Sequence, residues 1–151
     1  MIISFIGHSR ISQYENIKAA VSKAVRNNLC EATVSCYLGG YGDFDELCAC
    51  VCRELKQEYL DIELVYVAPY LNLREQDKIR EIERLGLYDT SVYPPIENTP
   101  LRFAIVKRNE WMVLSADLII CYVEHEWGGA YKTLKFAKHK KKKIINVCDY
   151  L

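Results

Sequence analysis

The chain has 151 residues and balances twenty basic against twenty acidic side chains, so no net field draws it to nucleic acid or to an anionic membrane. Half of its residues are hydrophobic and 26% are charged, with only seven Gly and four Pro, a composition that excludes disordered and fibrous chains. It predicts one packed domain over residues 1–151, large enough to fold without disulfides or a structural metal. The opening Met1-Ile2-Ile3-Ser4-Phe5-Ile6-Gly7 is apolar but has no basic leader and is too short for a signal peptide or a membrane span, which predicts a cytoplasmic protein. Seven cysteines, an odd count without a signal peptide, predict reduced and mostly buried thiols. Cys48 and Cys52 share a helix face while Cys50 points away, and no Cys-x-x-Cys or nearby His offers a zinc site, so no metal is expected.

Short apolar runs alternate with longer stretches of helical period, the pattern of βαβ units and a parallel sheet covered by helices on both faces. Strands are expected at about 2–6, 33–38, 62–67, 117–123 and 143–147. Ile17, Ala20, Val21, Ala24, Val25 and Leu29 recur at three- and four-residue steps, predicting a helix over about 13–29. A second helix is expected from Phe44 to Tyr59, and a third from Leu73 to a stop at Gly86. Residues 87–100 carry three of the four prolines and read as an extended crossing with an edge strand at Thr90–Tyr93. Pro100 to Ser115 reads as helical, and the last helix as Gly129–His139. The run from Lys138 to Lys143 reads as a solvated helix end rather than a nucleic-acid patch.

Ligands in open parallel sheets settle beyond the carboxyl ends of strands, so the residues after each expected strand carry the chemistry. After the first come Gly7, His8, Ser9 and Arg10, where glycine allows close backbone approach and the next three offer imidazole, hydroxyl and guanidinium groups. After the second, Gly39-Gly40-Tyr41-Gly42 leads into a helix that begins Asp43-Phe44-Asp45-Glu46. Such a loop can turn its N–H groups toward a phosphate, and the helix start adds partial positive charge. It is neither the dinucleotide fingerprint nor the Gly-Lys-Ser/Thr phosphate loop, so no standard cofactor is implied. One of Asp43 and Asp45 is expected to cap the helix, leaving the other carboxylates for ribose hydroxyls or a glycosidic carbon. The third strand ends near Tyr70, which can stack on a base or simply pack. Around the fourth, Arg108 and Asn109 precede the strand, and Trp127-Gly128-Gly129-Ala130 opens the last helix as a second anion-binding start.

The order Gly7-His8-x-Arg10, Gly39-Gly40 with Gly42 and Asp45, Arg108-Asn109-x-x-Met112-x-x-x-Ala116-Asp117, and Gly128-Gly129-Ala130 with Ala137-Lys138 and Ile144-Ile145-Asn146 resembles the SLOG superfamily. These are Rossmann-like domains related to the LOG phosphoribohydrolases and to the DNA-processing protein DprA. The resemblance spans nearly the whole chain, is closest to small stand-alone bacterial and phage members, and implies a three-layer α/β Rossmann-like fold. In the LOG enzymes an Arg before the penultimate strand and a Glu after the Gly-Gly loop hydrolyse the N-glycosidic bond of a nucleoside monophosphate. Arg108 matches that Arg, whereas Lys135 stands where the family pattern Gly-Gly-x-Gly-Thr-x-x-Glu has its acid.

The leading expectation is therefore a binder that senses or sequesters a nucleotide or NAD-derived ligand. Phosphate would rest on Gly39–Gly42 or Gly128-Gly129 with Arg10 and Arg108 as partners, and Tyr41, Tyr70 or Trp127 would stack on the base. The alternative is a nucleotide N-glycoside hydrolase or transferase, in which Asp45 or Glu46 steadies a ribosyl cation and Arg108 holds the phosphate. Single-stranded DNA binding ranks third, because overall neutrality and an acid-rich loop oppose a basic track. A homodimer or higher homo-oligomer is compatible with the tyrosine-rich composition and with the resemblance.

Overall fold

A computed structural model describes all of residues 1–151. The chain runs β1 (Ile2–Gly7), α1 (Tyr14–Arg26), β2 (Val34–Leu38), α2 (Asp43–Glu58), β3 (Ile62–Val67), α3 (Leu73–Arg84) and β4 (Thr90–Val92). A short 3-10 turn at Leu101–Phe103 leads into α4 (Ala104–Ser115), followed by β5 (Leu118–Tyr122), α5 (Gly128–His139), β6 (Ile144–Asn146) and a closing 3-10 turn at Val147–Tyr150. The strands form one sheet in the order β4-β3-β2-β1-β5-β6, and every neighbouring pair is parallel. This is the expected α/β Rossmann-like architecture. No helix is long and apolar enough to cross a membrane.

Strand alternation builds two cores from one sheet. Ile3 and Phe5 of β1, with Leu118, Ile120 and Tyr122 of β5, join the larger core under α1 and α2. Ile6, Ile119 and Cys121 face the other way and pack with Val113, Leu134 and Ala137 of α4 and α5. Central strands buried on both faces carry apolar residues at consecutive positions, which is why the sequence shows runs rather than alternation. Cys36, Cys48 and Cys52 lie in the larger core and Cys50 is only partly covered, as the helix-face argument requires. Ser4, the polar residue inside β1, donates its hydroxyl to the Met112 carbonyl and so ties the central strand to α4.

Two boundaries differ from the sequence expectation by three residues or more. Helix α1 stops at Arg26 rather than at residue 29, because Asn28 turns its side-chain amide back onto the Ala24 carbonyl and competes with the helical ladder. The stretch after Pro100 starts as a 3-10 turn and becomes α-helical only at Ala104. The carboxyl ends of the strands fall within one residue of their expected positions. From β1 the chain steps outward through β2 and β3 to β4, then returns to lay β5 on the opposite side of β1. The carboxyl ends of β1 and β5 thus form the topological switch point, where such sheets open a crevice.

Candidate functional site

The carboxyl ends of β1, β2 and β5 surround a cavity of about 360 Å³, within the range of about 300–1,000 Å³ typical of small-molecule sites. It brings together Gly7, His8 and Arg10 after β1, Gly39, Tyr41 and Asp45 after β2, Arg108 and Asn109 on α4, and Trp127, Gly128 and Gly129 at the start of α5. Other candidates fall outside it. Gly40, Gly42, Asp43 and Glu46 line a second hollow of about 300 Å³ on the far side of the glycine loop, together with Lys78 and Tyr88. Glu46 is there because one helical step from Asp45 turns a side chain by about 100°. Tyr70 lines neither space, since it follows β3, two strands away from β1. Ser9, whose hydroxyl the sequence offered, also lines the cavity, whereas sequence reasoning passed over His125 and Ile105, which line it too. His125 carried a readable signal, since it lies between the end of β5 and Trp127.

The first glycine loop is filled by the protein itself. A Cβ on Gly42 would lie 2.5 Å from the Ser9 Cα, and one on Gly39 would lie 2.9 Å from the Arg108 guanidinium carbon. Gly40 adopts a φ of +66° and abuts the Tyr66 ring. Its neighbours are also committed: Asp45 accepts the Tyr41 N–H at 2.9 Å, and Asp43 accepts the Ile11 N–H at 3.2 Å. Both aspartates are therefore taken up in pinning loops around the helix start, where one cap was expected. With Asp43, Asp45 and Glu46 in its first turn, the positive end of α2 is already compensated.

Beneath this loop, Arg108 is only 1% exposed. Its Nη1 donates to the Gly39 and Val67 carbonyls at 2.9 and 2.7 Å, and its Nε donates to Asn109 Oδ1 at 2.8 Å. It locks the ends of β2 and β3 together. Burial lowers its pKa, opposed chiefly by the Asp45 carboxylate, and a guanidinium stays charged in either case. Asp45, 8% exposed, has its pKa raised by burial to about 6, against the pull of the Tyr41 N–H and Arg108. Asp45 Oδ1 and Arg108 Nη2 hold no bond within the protein, yet no buried side-chain nitrogen or oxygen is left unpartnered. Each therefore keeps one polar atom open, and both residues line the cavity.

The start of α5 is the converse of α2. Its first turn has no acidic residue and its N-cap, Trp127, provides no side-chain cap. Gly128 needs its φ of +88°, but Gly129 has ordinary backbone geometry and nothing within 4 Å of a Cβ placed on it. The fold does not require glycine there. Uncapped N–H groups at a helix start can seat an anion.

Three rings run along the same wall. His8 stacks on His125 with centroids 3.8 Å apart and planes at 14°, and His125 stacks on Trp127 at 3.8 Å and 15°. The Glu124 N–H donates to His8 Nε2 at 3.0 Å, which places the proton of the neutral ring on Nδ1. Burial, then the His125 charge, lowers the His8 pKa, while Glu124 raises it.

No protein-family model matches the sequence, and no curated protein matches it. Among solved structures, DNA processing protein A (DprA) from Streptococcus pneumoniae is similar with a TM-score of 0.65 at 14% identity, covering 94% of this chain and 48% of that one. DNA processing protein A from Helicobacter pylori, whose structure is described for its single-stranded DNA binding mode, is similar with a TM-score of 0.60 at 12% identity, covering all of this chain and 71% of that one. The chain thus spans about half the length of the first neighbour, 48%. At these identities the likeness establishes a shared Rossmann-like fold of the DprA type.

Proposed function

We propose that the chain binds a phosphate-bearing nucleotide in the cavity at the ends of β1, β2 and β5. The observation that carries this reading is the uncapped, acid-free start of α5, where Gly129 leaves space that no protein atom fills. Arg108 and Asp45, each with a free polar atom, line the same cavity, with Arg10 at its exposed rim. The seat of the phosphate moves from the loop at Gly39–Gly42, which the protein occupies, to Gly128–Ala130. Gly129→Asp tests it. The new carboxylate meets no protein atom and suits a helix N-terminus, so stability should rise by about 0.3–1 kcal/mol. The same carboxylate repels phosphate. Calorimetric titration with a nucleoside 5′-monophosphate and with NAD should show binding to the wild type and none to Gly129→Asp. Equal binding by the variant would sink the assignment.

One observation favours a second reading, hydrolysis of an N-glycosidic bond. Asp45 has an open oxygen beside Arg108 and is ionised above pH about 6, so it can steady a ribosyl cation while a cation holds the phosphate. Glu46 faces the other hollow and drops out of this role. Base released by the wild type and not by Asp45→Asn would establish turnover; ligand retained intact leaves binding alone.

The ligand named for the Helicobacter pylori neighbour runs against the third rank assigned to single-stranded DNA binding from the sequence. The chemistry common to both is one nucleotide phosphate at a helix start, and a single-stranded oligonucleotide belongs in the same titration series.

A further inference from the structure

Trp127 is 69% exposed, and its indole ends the three-ring stack without a protein ring on its outer face. Its inner side is already organised. His125 is held by the contact of its Nδ1 with the Trp127 carbonyl at 3.1 Å, and His8 is anchored by the Glu124 N–H and by edge contact with Tyr122. A large apolar ring is costly to leave in water, and two histidines arranged behind it hold it flat rather than bury it. The adjacent residues, Gly128 and Gly129, begin the anion seat.

We propose that His8, His125 and Trp127 form a preorganised ladder whose open indole face takes the heteroaromatic base of the ligand. The inference rests on the nucleotide-phosphate reading and adds the base to it. It selects Trp127 over Tyr41, whose ring already lies against Lys78 at 4.8 Å and Arg108 at 5.7 Å, and over Tyr70, which is outside the cavity. It also fixes the kind of specificity. An indole face offers dispersion and no hydrogen-bonding edge, and stacking tolerates any base because every base has a π-face. Purines bind more tightly than pyrimidines through their larger area, while adenine and guanine are taken about equally.

The test compares AMP, GMP, CMP and ribose 5-phosphate on the wild type, Trp127→Leu and Gly129→Asp by calorimetry. Trp127→Leu should weaken AMP and GMP by about tenfold or more and leave ribose 5-phosphate unchanged, whereas Gly129→Asp loses all four. A fluorescence arm uses Trp111→Phe, which leaves Trp127 as the only indole and lies outside the cavity lining. Its emission should be quenched by AMP and not by ribose 5-phosphate. If Trp127→Leu binds AMP as the wild type does while Gly129→Asp does not, the ladder is overturned and the phosphate seat stands. If neither AMP nor ribose 5-phosphate binds the wild type, both fall.

Discussion

Asp45 shows how much one side chain is asked to do at this site. It caps the backbone of the glycine loop, sits beside a buried guanidinium and keeps one oxygen open to the cavity. Burial raises its pKa from 3.8 to about 6, so the folded protein holds this proton more tightly than the unfolded chain does. Its contribution is most favourable below pH about 4 and is lost as the pH rises to about 6, a change of about 3 kcal/mol. Asp45→Asn keeps an acceptor for the Tyr41 N–H and removes the titration. In urea unfolding, the stability of the variant relative to the wild type should therefore climb between pH 4 and 6 and level off above. A difference that stays flat across that window would show that Asp45 does not titrate there. The sequence made Asp45 visible as an acid at a glycine-loop helix start, but it left open which aspartate was committed. The partner of Asp43 is Ile11, 32 residues away, and only the packed loops bring the two together. Arg108 was legible through its motif; its bonds to the Gly39 and Val67 carbonyls depend on how β2 and β3 end beneath α4, which spacing does not encode.

At the level of elements, the strands were legible because a doubly covered sheet writes itself as apolar runs, and their carboxyl ends fell where those runs stop. Helix ends were less so, since side chains such as Asn28 decide them locally. The two helix starts show the same limit. Both follow glycine pairs, yet α2 is closed by its own acids and packing, while α5 is open. Glycine count drew attention to the first, whereas the proposed phosphate seat lies at the second, whose first turn lacks acids. The basic run at the other end of α5 also divides once folded. Lys142 donates to the Leu114 and Ala116 carbonyls at the end of α4, whereas Lys141 sits at a φ of +56°, in the region that favours glycine. Adjacent substitutions should act with opposite sign: Lys142→Ala costs about 0.5–1.5 kcal/mol by freeing those carbonyls, and Lys141→Gly gains about 0.5–1 kcal/mol by relieving the left-handed turn. Thermal melting of the two variants checks this, and parallel shifts would mean that the run is only a solvated tail.

For the whole molecule the question is whether its field extends the phosphate seat into a track for single-stranded DNA. Helix α5 begins at the cavity and runs for twelve residues to Lys138 and His139, a span of about 18 Å. Its basic end therefore lies at the amino ends of the strands, opposite the switch point. The net charge is zero, and Glu124 and Glu126 stand on either side of His125 in the sequence. An oligonucleotide reaching this site finds one helix start and Arg10 rather than a continuous basic groove. Each neutralised phosphate contributes about −0.7 to the slope of log affinity against log salt for a single strand. One or two contacts therefore give a slope of about −1, and a six-phosphate track about −4. Anisotropy titrations of a labelled oligonucleotide across salt concentrations should yield the shallow slope. Replacing Lys138, Lys140 and Lys143 together by Gln should leave both affinity and slope unchanged. A steep slope that flattens in the triple variant would instead mean that the DNA passes over the amino ends of the β-strands, and the cavity would then be incidental to DNA binding.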